Sequence, residues 1–219
     1  MSTPPCPPSL SCTSTTTVRS AAVRAWRWDS RRLSTTFCSW PIGLVGSKQT
    51  PILVPVGEKP FAESWDIVAY VDAHYGGAPI LQPASGREDL AQWIDTVMPL
   101  LVKLFLPRFH AAPLPEFTLR ESRNYFKNKK EKSFGAFSDN LAQSPELVKQ
   151  VNALLVQLES LLHSSHSVNE TLSYDDLDLF GRLRGLTLVK GVEWPTKVRQ
   201  FLEYFSEQGD VPLYDVVKI

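Results

Sequence analysis

The sequence predicts an α+β protein, in which a short strand-containing unit precedes an all-helical region. Two observations predict this class. Residues 45–75 have the pattern of a strand, a turn, a second strand and a helix. From residue 85 onwards, apolar residues recur at helical spacing in several long segments that are separated by Gly, Pro and Ser.

The segment from Val45 to Tyr75 contains the first candidate site. Pro51 follows Thr50 at the head of an apolar run, where a proline is expected at a sheet edge, at a strand start or after a cis bond. Glu63 and Ser64 precede a predicted helix. The apolar side of that helix consists of Ile67, Val68 and Val71. Because a helix N-terminus carries free N–H groups, this helix start is a candidate site for a carboxylate.

The helical region is predicted to follow a linker over residues 76–84, which is rich in Gly and Pro, and to extend over 85–219. Ser85 to Glu88 has the spacing of a capping box and would begin a long helix. Pro99 and Pro107 are expected to kink and then end this helix, because each removes a backbone donor.

Two further helices are predicted after residue 119. The first contains a lysine-rich run over 127–132, which could form an anion-binding patch but is interpreted as a solvated face because the chain has no net charge. The second begins at Ser144, whose hydroxyl would cap the helix ahead of Pro145. Its apolar stripe comprises Leu147, Val148, Val151, Leu154, Leu155, Leu158 and Leu162.

A central helix is predicted to begin after Ser173. Ser173 would be its N-cap, Asp176 would complete a capping box, and Gly191 would end the helix. Because replacing such a cap typically costs about 1 kcal/mol, this pair is assigned a structural role. A last helix is predicted to end at Gly209.

Composition limits the possible partners. The 219 residues carry 23 basic and 23 acidic side chains, so no electrostatic argument favours binding to nucleic acid or to an anionic membrane surface. No apolar run in the sequence is expected to reach the roughly 20 residues needed to cross a bilayer. The pair His163 and His166 lacks a third ligand in the sequence, so no metal site is predicted.

Several stretches carry a resemblance to a known family. QTPIL followed by ESWDIVAYVD is similar to the second half of a glutathione-binding thioredoxin-fold domain. The stretches LFLPRF, YFKNKKE, SYDDLDLFGRLRGLTLV and GVEWP resemble the glutaredoxin 2 family, the larger bacterial glutaredoxins with a glutathione-transferase-like helical domain. The likeness extends from about Gly43 to Ile219. It implies a truncated thioredoxin-like unit over 43–75 and a transferase-like helical domain over 85–219.

The resemblance also implies a ligand and a set of binding residues. In the family, the residue before the cis-proline binds the cysteinyl part of glutathione through its backbone, and a Glu-Ser pair holds the γ-glutamyl end. The matching residues are Thr50, Pro51, Glu63 and Ser64. Trp65 stands where the family usually has methionine, a change expected to leave binding intact. The implied function is a glutathione-dependent thiol-disulfide oxidoreductase that acts on glutathionylated or disulfide-containing substrates, as a cytoplasmic monomer without a metal.

One part of the family pattern is missing from the chain as written. A glutaredoxin uses a thiolate at a helix N-terminus, usually in a Cys-Pro-x-Cys motif. The three cysteines, Cys6, Cys12 and Cys38, form no such motif and show no two-residue spacing. No catalytic residue is therefore assigned, and two hypotheses stay open: an oxidoreductase that is inactive as written, or a non-catalytic glutathione-binding or scaffold module.

Residues 1–42 differ in kind from the rest, since they are rich in Ser, Thr, Pro and Arg and contain one acidic residue, Asp29. They are expected to be irregular. A transit peptide has a similar composition, but the recognisable sequence begins midway through the thioredoxin fold. We favour a frame shift, because codons can be chosen for Thr15 to Arg31 whose shifted reading contains Asp-His-Cys-Pro-Phe-Cys-Gly. The single codon of Trp26 constrains that choice.

Overall fold

The fold is described from a computed structural model, which describes residues 52–55, 57–75, 77–114, 117 and 119–219. The chain divides into two compact units, Met1–Ala78 and Pro79–Ile219. The predicted irregular segment 1–42 lies outside the described residues.

In the first unit, the described residues form one bridged pair and one helix. Leu53 and Phe61 form an antiparallel bridge, with backbone N–H···O distances of 2.9 and 3.1 Å. Helix α1, Ser64–His74, follows. Leu53, Ile67 and Val71 are the buried centre of this unit. Within the described residues from Ile52 onwards, a bridged pair followed by a helix agrees with the later part of the pattern predicted for 45–75, whereas the two strands and the complete thioredoxin-like unit stay predictions.

The second unit is helical throughout most of its length. Its helices are α2 (Glu88–Ala111), α3 (Arg120–Phe134), α4 (Phe137–Ala142), α5 (Ser144–Leu161), α6 (Tyr174–Arg184) and α7 (Thr196–Gly209), with short 3-10 helices at Gly185–Leu188 and Asp215–Val217. The end of α7 agrees with the prediction at Gly209.

Helix α2 lies at the centre of this unit and packs against α3, α4 and α5. Its buried apolar residues include Leu90, Trp93, Val97, Leu101 and Leu104. The Trp93 indole also donates a hydrogen bond of 2.8 Å to the carbonyl of Leu154 in α5.

The predicted end of this helix at Pro107 was wrong. Helix α2 contains both Pro99 and Pro107 and continues to Ala111. Tertiary contacts hold its last turn, since Pro107 and Arg108 are buried and Arg123 of α3 donates to the carbonyls of His110 and Ala112. These contacts offset the single backbone donor that a proline removes.

Within the described residues, α2 is also the helix that is long and apolar enough, by length and composition, to cross a membrane. That finding modifies our estimate that no apolar run approaches this length. A buried core helix passes the same test, and α2 packs against three neighbouring helices.

Two predicted helix caps differ from the observed ones. Helix α5 begins at Ser144 itself, with Gln143 in the N-cap position, and the Ser144 hydroxyl accepts hydrogen bonds from the buried Arg108 guanidinium, at 3.2 Å from both Nη1 and Nη2. Helix α2 begins at Glu88 after Arg87, without a side-chain cap. At Ser144 a long-range contact therefore replaces the capping role that the local pattern assigned to the hydroxyl. At Ser85 the backbone N–H donates to Asp175 Oδ2 at 2.9 Å, whereas the hydroxyl accepts the Arg87 N–H at 3.3 Å.

Part of the predicted linker is paired with the helical unit. Gln82 and Ser173 form a parallel bridge, in which the Gln82 N–H donates to Leu172 O (2.9 Å) and the Tyr174 N–H donates to Gln82 O (3.1 Å). This pairing places the extended segment directly beside the start of α6.

The end of α6 was expected at Gly191, but the helix ends at Arg184 and tightens into the 3-10 turn Gly185–Leu188. Gly185 lies against α2, where an added Cβ would come within 3.2 Å of the Phe105 ring. The whole turn is buried and lies close to α2, so it is held by tertiary packing that the local sequence pattern does not show.

Candidate functional site

The N-terminus of α1 carries the candidate ligand-binding pair. Glu63 is the N-cap residue with an extended backbone, and its carbonyl accepts the Ile67 N–H at 2.9 Å. The side chains of Glu63 and Ser64 are both exposed, and neither caps the helix. The first four N–H groups of an α-helix lack intrahelical partners, so this start presents backbone donors beside an accessible hydroxyl.

Such a helix start can bind a group that carries both a negative and a positive charge. The helix dipole and the first-turn N–H groups favour a carboxylate, to which the Ser64 hydroxyl can also donate. The Glu63 carboxylate, one residue earlier, can accept hydrogen bonds from an ammonium group. An α-amino acid end, which has an ammonium and a carboxylate on one carbon, therefore matches this pair of residues.

The rest of the first unit fixes the position of this helix start. Ile67 and Val71 anchor α1 on Leu53, whose bridge to Phe61 ends two residues before Glu63. Tyr70 holds the turn between the paired residues, because its hydroxyl donates to Glu58 Oε1 at 2.7 Å.

Tyr70 is further held by its aromatic neighbours and has a perturbed pKa. Its ring contacts Phe61 edge-on at 5.6 Å and stacks on His74 at 4.1 Å between ring centroids. The hydrogen bond to Glu58 raises the pKa of Tyr70 to about 12, since deprotonation would remove the donor.

The other half of the predicted site lies outside the described residues. Thr50 and Pro51 both belong to this part of the chain, so the structure brings together Glu63 and Ser64 alone. The assignment of all four residues to glutathione stays a prediction. Cys6, Cys12 and Cys38 also lie outside the described residues.

The second singled-out pair, Ser173 and Asp176, forms a buried capping box at the start of α6. Asp176 Oδ2 accepts the Ser173 N–H at 2.7 Å and the Ser173 hydroxyl at 2.9 Å, and Asp176 Oδ1 accepts the Val168 N–H at 2.6 Å. Burial raises the pKa of Asp176, although these hydrogen bonds act in the opposite direction. The Asp176 carboxylate therefore connects the loop that contains Val168 to the start of α6.

The sequence did not predict further polar contacts around the start of α6. Asp175 Oδ2 accepts the Ser85 N–H at 2.9 Å and the Asn169 amide at 2.8 Å. Arg87 Nη1 donates to the carbonyls of Leu161 (3.0 Å) and Val168 (3.2 Å). The contacts of Ser85 with Asp175 and of Arg87 with Leu161 and Val168 join residues that are 74 to 90 positions apart. No local spacing in the sequence can therefore predict them.

The histidines considered as metal ligands lie in the loop after α5. The backbone N–H of His163 donates to the Val168 carbonyl at 3.1 Å, and the His166 ring contacts Tyr204 edge-on, with 4.2 Å between ring centroids. In the part of the chain that the structure describes, no group of three or more His, Cys, Asp or Glu side chains is arranged to hold a metal ion.

Comparisons with known proteins agree on one family. The model of the glutaredoxin 2 C-terminal domain matches residues 89–217. Glutaredoxin 2 of Escherichia coli strain K12 is 39% identical over 181 residues, which is 82% of each chain, and the proteins of strains CFT073 and O157:H7 match equally.

Two solved structures are similar to this fold. The crystal structure of glutaredoxin 2 from Salmonella typhimurium in complex with glutathione has a TM-score of 0.80 and 33% identity, and covers 92% of this chain and 93% of its own. A glutathione transferase, GSTFuA2 from Phanerochaete chrysosporium, has a TM-score of 0.61 at 19% identity with 91% of each chain covered, and shows likeness of fold alone. On the extent of the sequence match and on the family-model match, this chain belongs to the glutaredoxin 2 family.

Proposed function

We propose that this protein is a glutathione-dependent thiol-disulfide oxidoreductase by descent, and that the chain as written binds glutathione without catalysing turnover. The observation that carries the first part is 39% identity over 82% of the chain to glutaredoxin 2. Glutathione would be the reductant, and glutathionylated or disulfide-containing proteins the substrates. We further propose a cytoplasmic, monomeric protein that needs no metal.

The glutathione site would combine four residues. The backbone of Thr50, before Pro51, would bind the cysteinyl part, and Glu63 and Ser64 would bind the γ-glutamyl end. That end is an α-amino acid group, which suits an exposed carboxylate next to an exposed hydroxyl at a helix N-terminus. The similarity to a glutaredoxin 2 that was solved in complex with glutathione supports the same ligand here.

The proposal of inactivity rests on thiol chemistry. Thiol-disulfide exchange requires attack by a thiolate, and an ordinary cysteine is mostly protonated at neutral pH. A helix N-terminus lowers the thiol pKa in a Cys-Pro-x-Cys motif, and the sequence contains no such motif. We also expect weak binding of glutathione, because the segment that would form the other wall of the groove does not match the family.

We propose that residues 1–42 are read in a shifted frame. The shifted reading restores a strand, a Cys-Pro-Phe-Cys at a helix start and a second strand in one step. A real replacement of this unit would leave an unpaired sheet edge and an uncovered core. Resequencing the DNA across codons 1 to 45 and identifying N-terminal peptides by mass test this proposal. Peptides covering Ala25 to Ser39 in folded protein, together with DNA that confirms the present frame, would refute it.

The second candidate is a non-catalytic glutathione-binding or scaffold module. The absence of Cys-Pro-x-Cys in the sequence favours it for this polypeptide. An assay that follows reduction of a glutathione mixed disulfide, run on this chain and on a frame-corrected version, separates the two candidates. We expect turnover by the corrected protein alone. Comparable rates for both proteins would overturn the proposal of inactivity, and no turnover by either would favour the module.

A further inference from the structure

Helix α3 is held on the helical unit by a small number of contacts at its inner side. None of its fifteen residues is buried. Arg123 donates to the carbonyl of His110 in the last turn of α2. Phe126 contacts the Phe137 ring at the start of α4, with 6.3 Å between ring centroids. Because so few buried contacts hold it, α3 is expected to be among the first parts of the unit to open.

The His110 side chain lies at the junction of α2, α3 and α4. Its imidazole contacts the Phe137 ring edge-on, with 6.0 Å between ring centroids. Phe137 is buried, and its backbone N–H donates to Glu131 Oε1 of α3 at 2.8 Å. The contacts of α3 with both neighbouring helices therefore converge around His110.

The surroundings of the imidazole disfavour its protonated form. Partial burial, and after it the positive charges of Lys127 and Arg123, lower the pKa of His110 below its ordinary value. Glu131 acts in the opposite direction. Its carboxylate also accepts the Phe137 N–H and lies 4.0 Å from the Lys127 ammonium, so its negative charge is shared with these groups.

The other elements that pack against α2 do not supply a compensating negative charge. The acidic side chains of α4 and α5 have partners of their own: Asp139 accepts from Ser138, Glu146 accepts from Gln150, and Glu159 accepts the Lys197 N–H. The 3-10 turn Gly185–Leu188 contains no titratable side chain. A helix C-terminus favours a nearby cation, but Arg123 already donates to the last carbonyls of α2.

We propose that His110 is a pH-sensitive latch, whose neutral form holds α3 on α2 and α4 and whose protonation releases α3. Protonation places a third positive charge beside Arg123 and Lys127 and against the buried Phe137 ring, and separation of α3 relieves that repulsion.

The direction of the pH dependence follows from the attached and open states. In the open state His110 has the ordinary histidine pKa of about 6.5, whereas in the attached state the pKa is lower. The attachment is therefore complete above about pH 6.5 and weakens as the pH falls through the lowered value. Because α3 contributes no buried residue to the core, we expect the rest of the helical unit to stay folded.

The test is hydrogen exchange of the full chain, followed by mass spectrometry and corrected for the intrinsic effect of pH. Between about pH 7.5 and about pH 5, we expect exchange in peptides from α3 to become about threefold faster or more, and exchange in α5 to change less. His110→Gln cannot acquire the charge and should remove this difference. The matched control is His166→Gln, at an exposed histidine outside the junction, which should respond as wild type does.

Two charge variants of α3 separate electrostatic repulsion from lost packing. Lys127→Gln removes a positive neighbour of His110, so α3 should open at a lower pH than in wild type. Glu131→Gln keeps an oxygen that can accept the Phe137 N–H but removes the negative charge, so α3 should open at a higher pH. A purely structural role of these side chains would not shift the opening in opposite directions.

Several outcomes would overturn the proposal. Exchange in α3 that does not respond to pH, a response that persists in His110→Gln, or an equal response of α3 and α5 would each reject the latch. If His110→Gln opens α3 at every pH, an NMR titration of the His110 ring in wild type decides. A midpoint below the ordinary histidine value that rises in Lys127→Gln supports the latch, and any other result rejects it. None of these readouts depends on glutathione or on redox turnover, so the test stands apart from the proposed function.

Discussion

The N-termini of α1 and α6 each contain a serine and an acidic residue, and they use them in opposite ways. At α6, Ser173 and Asp176 are 2% and 0% exposed and bind each other and the Val168 backbone. At α1, Glu63 and Ser64 are exposed, and neither caps the helix. The two pairs also differ in position, because Ser173 and Asp176 are the N-cap and N3 residues, whereas Glu63 is the N-cap and Ser64 the first helical residue. Position and burial together, rather than residue type, therefore decide whether such a pair caps the helix or stays accessible.

The largest effect is expected from Asp176→Ala. The substitution removes one carboxylate that accepts three hydrogen bonds and leaves the Val168 and Ser173 N–H groups buried without an acceptor. We expect the free energy of unfolding of the helical unit to fall by about 3 kcal/mol, as measured by urea denaturation.

Asp178→Ala is the matched control on the same helix. Asp178 forms a partly exposed ion pair with Arg182 at 2.7 Å, whose loss should cost about 0.5 kcal/mol. Similar losses for the two variants would contradict the structural importance of the buried carboxylate.

The second largest effect is expected at the exposed pair Glu63 and Ser64, and it is a change in ligand affinity. In the frame-corrected protein, Ser64→Ala should weaken glutathione binding about tenfold in isothermal titration calorimetry, because a hydrogen bond to a charged carboxylate is lost. The free energy of unfolding should change by less than about 0.5 kcal/mol, since the side chain is exposed. In the chain as written, where binding is expected to be weak, submillimolar binding that survives Ser64→Ala would count against the assigned site.

A smaller effect is expected from Ser173→Ala. The alanine keeps the backbone N–H that donates to Asp176 and loses only the hydroxyl, whose hydrogen bond measures 2.9 Å. Unfolding in urea should show a loss of about 1 kcal/mol. A loss equal to that of Asp176→Ala would mean that the hydroxyl, and not the carboxylate, stabilises the start of α6.

The smallest effect is a pH dependence of the buried pair. Because burial raises the pKa of Asp176, folding takes up a proton at this group. Its contribution to stability is therefore complete below the ordinary aspartate pKa of about 3.9 and declines as the pH rises through the raised value. Asp176→Asn cannot titrate.

The stability difference between wild type and Asp176→Asn reports this group alone, because the other carboxylates are common to both proteins. We expect wild type to gain stability relative to Asp176→Asn as the pH falls from about 7 to about 4. Urea unfolding at a series of pH values measures that difference. A difference that stays constant with pH, or that shifts in favour of the variant in acid, would contradict the raised pKa.

The sequence predicted the helices of the second unit well where the signal was local. The stripe from Leu147 to Leu158 and the spacing of Ser173 and Asp176 depend on residues three to seven positions apart, which a helix brings together by its own geometry. For the candidate site, the same locality places Glu63 and Ser64 at the start of α1. No local pattern can establish where Thr50 lies relative to them.

What the sequence by itself determined is thus the set of short-range features: which segments are helical, which carry an apolar stripe, and where the capping box of α6 lies. The tertiary structure alone decided the rest. The Ser85 backbone N–H donates to Asp175 across 90 positions, and the Ser144 hydroxyl, which local spacing assigned to capping, accepts from Arg108 across 36. Helix α2 continues past Pro107 because neighbouring segments hold its last turn. Contacts of this kind depend on how the whole fold brings distant segments together, and packing also removes water from the buried ones, such as the hydrogen bond between Arg108 and Ser144.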